Sequence, residues 1–305
     1  MGARVSWRYV SASAVGTSHL RTGAACQDAS FVETVIGADG TEWLVALASD
    51  GAGSADHGAL GARMMCDIGG QFLSDRIEAR GERALNVALA EECVEHVRAE
   101  IALASAWHGA PTRQFACTLV GAVIGPERAL AFQIGDGALV VRSRDHVRAE
   151  RKSANNGSTN GRASNGSPPN GSAANGSAPN SSQANGSAER LQPIFWPESG
   201  EYANTTYFVT DPDAIAHLHA AMIEAPDEVS LLTDGLQRLA LVFATREAHS
   251  PFFEPMFAAL RGVDPSRCVQ LNSELARFLS SPAINARTDD DKTLVVATRR
   301  GGQIG

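Results

Sequence analysis

The chain has 305 residues, with 44% hydrophobic and 20% charged side chains, which is the composition of a globular protein with room for one large domain or two small ones. Its net charge of −8 argues against a nucleic acid or an anionic membrane as the main partner, and the excess of 24 Arg over Lys152 and Lys292 reads as codon bias rather than a basic patch. No apolar run approaches the roughly 18–20 residues that span a bilayer, and no secretory apolar segment opens the chain.

In chain order, Trp43–Ala48 is a short apolar run ending at Ser49-Asp50-Gly51, which predicts a buried strand entering a turn. From His57 to about Ala79, Leu60, Met64, Ile68, Phe72 and Ile77 keep near-helical spacing. A second helix is predicted from Glu82 to about Trp107, with Leu85, Leu89, Val94, Val97 and Ile101 on its apolar face. Three strand-like runs follow at Phe115–Ile124, Ala129–Ile134 and Ala138–Arg142, broken by Gly125-Pro126 and Gly135-Asp136-Gly137.

Ser153 to Ala188 breaks the pattern. These residues are almost all Ser, Asn, Ala, Gly and Pro, Asn-Gly-Ser recurs five times, and no large apolar side chain is present to offset the entropy of ordering. The segment reads as a disordered low-complexity insertion within one domain spanning 1–305. Beyond it, Thr205–Thr210 and Glu228–Leu232 are predicted strands, Thr245–Arg261 and Pro265–Leu279 helices, and Thr293–Thr298 a final strand. Clustered strands and helix pairs, rather than alternation, make an α+β fold.

The five cysteines are odd in number, widely spaced and never in a C-x-x-C pair, so they read as reduced thiols in a cytoplasmic protein. Met1–Ser6 also matches the short N-myristoylation pattern, which is unspecific on its own. Acidic residues recur at the ends of apolar strands: Asp28 in Gln27-Asp28-Ala29, Asp50, Asp136, Asp234 in Thr233-Asp234-Gly235, and Asp290 in Asp289-Asp290-Asp291-Lys292-Thr293. Singly, each is an ordinary turn signal. Together, converging carboxylates repel and require cations. Hard oxygen donors without His or Cys partners select Mg²⁺ or Mn²⁺ over Zn²⁺.

The ordered set G-x-x-H-x-x-x-G-x-x-C-Q-D-A (Gly16–Ala29), S-D-G-A-G (Ser49–Gly53), G-D-G (Gly135–Gly137), G-E-Y-A-N-T-T-Y-F (Gly200–Phe208), T-D-G (Thr233–Gly235) and D-D-K-T (Asp290–Thr293) resembles bacterial type 2C metal-dependent protein phosphatases. The resemblance implies a four-layer αββα sandwich, two antiparallel sheets flanked by helix pairs. It implies a two-metal site and hydrolysis of phosphoserine and phosphothreonine by a metal-bridging hydroxide. Asp50 then matches the bridging carboxylate and Gly51 a backbone-carbonyl ligand. Asp234 and Asp290 match further direct ligands, Asp28 holds metal-bound water, and Asp136 with Asp234 takes a weaker third ion. Asp50, Asp234 and Asp290 are thus the implied catalytic residues. The implied partners are phosphorylated proteins and a cognate Ser/Thr kinase.

Two departures stand out. Relatives place Arg five residues before the first-motif Asp, where this chain has Gly23, leaving Arg21 or His19 to grip the substrate phosphate. Many eukaryotic relatives carry His where Ala52 stands, which leaves His57, water or no specific group to protonate the leaving group. Loss of the Arg allows a second reading, a catalytically weak phosphoprotein-binding regulatory module of the same fold. A phosphatase acting on small phosphoesters is the third.

Overall fold

A computed structural model describes residues 5–142, 190–197, 206–264 and 267–301. The Ser153–Ala188 insertion, Met1–Arg4 and the Gly200–Thr205 part of the fourth motif lie outside the described residues.

Ten strands make two five-stranded antiparallel sheets. The first contains β2 (Ala29–Ile36), β3 (Glu42–Ser49), β4 (Leu119–Ile124), β5 (Arg128–Ile134) and β8 (His219–Glu224), paired in that order. The second is ordered β1 (Val5–Ala14), β12 (Lys292–Gly301), β9 (Glu228–Leu232), β6 (Ala138–Arg142) and β7 (Leu191–Pro193). Between β9 and β12, β10 (Leu241–Val242) and β11 (Glu247–Ala248) form a separate small hairpin.

The period-2 alternation of strand side chains builds three apolar layers. Leu44, Ala46 and Ala48 of β3 face Val295 and Ala297 of β12 and Val229 and Leu231 of β9 between the sheets. The alternate residues Val45 and Leu47 face outward against α2 (Gly58–Arg80) and α3 (Ala88–His108). On the opposite side, Leu294 and Val296 of β12 face α5 (Ser250–Gly262) and α6 (Cys268–Leu279). Helix pair, sheet, sheet, helix pair is the expected αββα sandwich. Strands covered on both faces read as unbroken apolar runs, which is why Trp43–Ala48 was legible.

Helix α2 buries an unexpected stripe. Ile77 is buried as expected, but with it go Gly61, Ala62, Met65, Cys66, Gly69, Gly70 and Leu73, while Leu60, Met64, Ile68 and Phe72 lie half-buried at the flank. Small residues let the helix backbone approach closely: a Cβ on Gly61 would lie 2.0 Å from the Phe115 carbonyl oxygen.

Several boundaries differ from the sequence reading. The helix expected from Glu82 starts at Ala88, because Gly81, at φ 54°, ends the preceding helix and Gly81–Ala84 closes a tighter 3₁₀ turn. The strand expected from Phe115 starts at Leu119, since Thr112–Phe115 is also a 3₁₀ turn that sinks the Phe115 ring into the core. Residues 206–210 form no strand; Asp211 Oδ2 accepts the Phe208 N–H at 2.8 Å and bends the chain into a turn. The helix expected from Thr245 begins at Ser250, with Pro251 in its first turn, because the preceding residues pair in the β10–β11 hairpin. All five cysteines are unpaired, and Cys66, Cys93 and Cys117 are buried. Among the described residues no helix is long and apolar enough to cross a membrane.

Gly61→Ala tests the close approach of α2 to the Thr112–Phe115 turn. Ala has the higher helix propensity, but its methyl group meets backbone, so the variant is expected to lose about 1–3 kcal/mol in urea unfolding. An unchanged or raised midpoint would show that α2 has room to spare.

Candidate active site

Strand registers bring the acidic points to one edge of the sandwich. Ala29 pairs with Ser49, so Asp28 and Asp50 sit side by side just beyond the ends of β2 and β3. Leu232 pairs with both Leu294 and Ala138, so Asp234, Asp290 and Asp136 lie beyond the matching ends of β9, β12 and β6. The turn through Asp136 carries the chain from β5 in one sheet to β6 in the other. Five carboxylates from five separate stretches therefore meet where the two sheets share an edge.

The backbone around them is tied down. Asp50 N–H donates to Thr118 Oγ1 at 3.0 Å and Thr118 N–H returns a bond to the Asp50 carbonyl at 2.8 Å. Gly51 is buried, bridges to Cys117 and donates its N–H to the Gln27 carbonyl at 3.1 Å, which locks the second motif to the first. Thr233 Oγ1 donates to Asp28 Oδ2 at 2.7 Å and accepts the Thr293 N–H at 2.9 Å. Gln237, at the start of the short helix α4 (Gln237–Ala240), donates its side-chain amide to the Asp136 carbonyl.

Electrostatics mark the cluster as strained. Burial, then repulsion from Asp136, Asp290 and Asp28, pushes the Asp234 carboxyl up to about 8. Burial raises Asp28 to about 6, against hydrogen bonds from its neighbours that favour the anion. Asp50 is pushed well above the usual carboxylate range by burial and by Asp28, Asp234 and Asp290, and Asp136 is raised by burial. Asp28 Oδ1 is buried with no hydrogen-bond partner, and so is Gln27 Oε1 beside it. Orphaned oxygens among repelling carboxylates are what a cation would satisfy. Among the described residues no group of three or more His, Cys, Asp or Glu side chains is arranged to hold a metal ion as it stands. Asp290 lies on the exposed rim.

The other expected residues sit around this cluster. His19 and Arg21 lie on α1 (Thr17–Thr22), a short helix over the site's edge. Arg21 is exposed and only 3.4 Å from the equally exposed Asp289. His19 is partly buried, with Nδ1 2.9 Å from Asp291 Oδ2. His57 stacks on Phe115 and tilts against His108, in the packing beneath α2. The sequence reading did not single out Asp291, which is buried and bonded to three donors; only its place in an acidic run pointed to it.

A family model for protein phosphatase 2C matches residues 15–161 and 182–280. The chain belongs to the protein phosphatase 2C family. It is accordingly an enzyme, a protein serine/threonine phosphatase. The chain is 34% identical over 294 residues to serine/threonine-protein phosphatase 3 of Escherichia coli (strain K12), covering 96% of this chain and 98% of that protein. Among solved structures, the catalytic domain of PstP in complex with two manganese ions superposes with a TM-score of 0.55 at 16% identity, covering 97% of this chain and 99% of PstP. Stp1 from Staphylococcus aureus gives 0.52 at 12% identity, covering 98% and 96%. Identities this low show the shared sandwich and nothing finer. The phosphatase family is metal-dependent, and the carboxylate cluster is the part of this chain whose chemistry fits that requirement.

Raised carboxyl groups carry a pH signature. Above the ordinary carboxyl range of ~3.9, and up to about 6 for Asp28 and about 8 for Asp234, folding favours protonated carboxyls that the unfolded chain has ionised. Metal-free stability should therefore be greatest in acid and fall as pH rises towards about 8, where Asp234 ionises. Thermal melts in chelator at pH 5 and pH 8 read this directly. Asp234→Asn should raise the melting temperature at pH 8 and flatten the profile; a wild-type profile already flat would refute the repulsion.

Proposed function

We propose that this enzyme hydrolyses phosphoserine and phosphothreonine in proteins with two Mn²⁺ or Mg²⁺ ions. Asp50, Asp234 and Asp290 would hold them directly, helped by the Gly51 carbonyl, with Asp28 acting through water. Asp136 and Asp234 would take a weaker third ion. The observation that carries this is the meeting of five carboxylates, one with an orphaned buried oxygen, at a single sandwich edge. When bound, the ions supply an activated water for attack on phosphorus and neutralise charge on the phosphoryl oxygens.

The chain's own groups do the rest. Thr233 and Thr118 hold Asp28 and the Asp50 backbone in place, so little reorganisation accompanies ion binding. His19 has a stronger claim than Arg21 to the phosphate contact that Gly23 leaves vacant. It shares Asp291 with the backbone of Gln27, next to Asp28, whereas Arg21 reaches only Asp289. A phosphoprotein substrate implies a Ser/Thr kinase that makes it. The unpaired cysteines favour a reducing compartment, the cytoplasm. We further infer one phosphatase domain with 153–188 inserted in it, supported by the family match on both flanks.

Asp50→Asn in saturating Mn²⁺ should leave no measurable hydrolysis of an aryl phosphate, and near-normal turnover would sink the metal assignment. His19→Ala should raise KM for a phosphopeptide more than it lowers kcat, the pattern of lost uniform binding, while Arg21→Ala changes neither. If His19→Ala is silent, the phosphate contact lies elsewhere. Replacing 153–188 with a few Gly and Ser residues should leave the melting temperature and aryl phosphatase activity near wild type, since loop-closure entropy grows only logarithmically. Two separately folding halves would overturn the one-domain reading.

A further inference from the structure

The acidic run at the head of β12 contains two different kinds of aspartate. Asp290 is exposed on the rim, whereas Asp291 is 2% exposed. The Asp291 carboxylate accepts three N–H groups from the first motif, some 260–275 residues away in sequence. Gly16 N–H donates to Oδ1 at 2.5 Å, while Gln27 N–H at 2.6 Å and the His19 ring at 2.9 Å share Oδ2.

Its backbone faces the other motifs. Asp291 N–H donates to Asp290 Oδ1 at 2.9 Å. The Asp291 carbonyl packs so tightly on the turn after Asp234 that a Cβ on Gly235 would lie 1.9 Å from it. The neighbouring Lys292, fully buried, donates to the Asp290 carbonyl and to Asn285 Oδ1, both at 3.0 Å. One residue thus touches the segments that carry Asp28, Asp234 and Asp290.

We propose that Asp291 is a positioning residue for the metal centre: its carboxylate clamps the Gly16–Asp28 loop to the head of β12 and so sets the spacing between Asp28, Asp234 and Asp290 before any ion arrives. The proposal rests on the metal-site reading above. A carboxylate is required because three donors converge on two oxygens. An Asn in its place offers one oxygen and turns an N–H₂ group towards at least one of the three N–H groups, which then loses its acceptor. The clamp then opens on one side, and the ligands must be gathered at the expense of ion affinity. Residues that orient ligands without touching the ion typically contribute 10–100-fold to metal affinity.

The test is Mn²⁺ binding by calorimetry to metal-free protein, with no substrate present. Asp291→Asn, shown by circular dichroism and a cooperative melt in chelator to be folded, should bind Mn²⁺ some 10–100-fold more weakly than wild type. His19→Ala, at a partly exposed position, keeps the two backbone donors and should fold whatever becomes of Asp291→Asn. It should show a smaller, few-fold loss of affinity. A role in folding alone would lower the metal-free melting temperature of Asp291→Asn and leave the Mn²⁺ affinity of the folded protein unchanged; that result overturns the inference. Undiminished affinity in both variants overturns it as well. Wild-type protein that binds no Mn²⁺ would refute the metal-site reading itself, and the inference with it.

Discussion

Repulsion among carboxylates gathered at one edge of the sandwich is the constraint on which the rest of the molecule turns. Burial and mutual charge raise Asp28, Asp50, Asp136 and Asp234 together, a cost that the fold has to sustain when no cation is bound. Hydrogen bonds from Thr233 to Asp28 and from Thr118 to the Asp50 backbone resist the outward relaxation that repulsion would drive. Long antiparallel registers do the same on a larger scale: β1 and β12 pair along ten residues, and β2 and β3 along eight. The edge is held rigid because the sheets behind it are.

That rigidity comes from three apolar layers with different side-chain sizes. Between the sheets, Ala46, Ala48, Ala122, Ala129, Ala131 and Ala297 keep the two backbones close, so the loops at their shared edge lie within reach of each other. Outside, bulkier residues such as Phe132, Phe253 and Phe257 fill the helix-facing layers. Away from the carboxylate edge, Glu228 is bonded by Arg142 and Arg261, each at 2.6 Å, tying α5 to the far ends of β6 and β9. A buried ion pair of this kind adds little net stability, and its value lies more in fixing how α5 sits.

The proposed metal chemistry depends on this layout. Each acidic residue stands where a strand ends, held by its own strand's pairing, and the five stretches are distant in sequence. Rigid scaffolding with functional loops at one end is the usual division of labour in enzymes. Asp291 extends the principle inward, since it ties the loops to each other rather than to the substrate.

Much of this layout is legible in the sequence. Sheet-buried strands such as Trp43–Ala48 and Glu228–Leu232 are continuous apolar runs, and the Asp-Gly turns after them are local signals that need no tertiary context. Those patterns gave an α+β fold and the acidic positions, whereas the αββα layering came only as what the resemblance of the ordered motifs implies. Strands β1, β2 and β8 were not read, because each is an edge or near-edge strand with partly exposed residues and no clean alternation. The small-residue face of α2 was hidden for a related reason: hydrophobic periodicity marks large side chains, whereas packing here selects glycine and alanine. By itself, then, the sequence marked the buried strands, the long helices and the acidic residues at strand ends, since these are properties of short stretches of chain. Only the tertiary structure decided that Asp291 is buried while Asp290 is exposed, and that His19 rather than Arg21 is bonded to the cluster's edge. Those outcomes depend on strand register and on contacts between residues hundreds of positions apart, which no local pattern encodes.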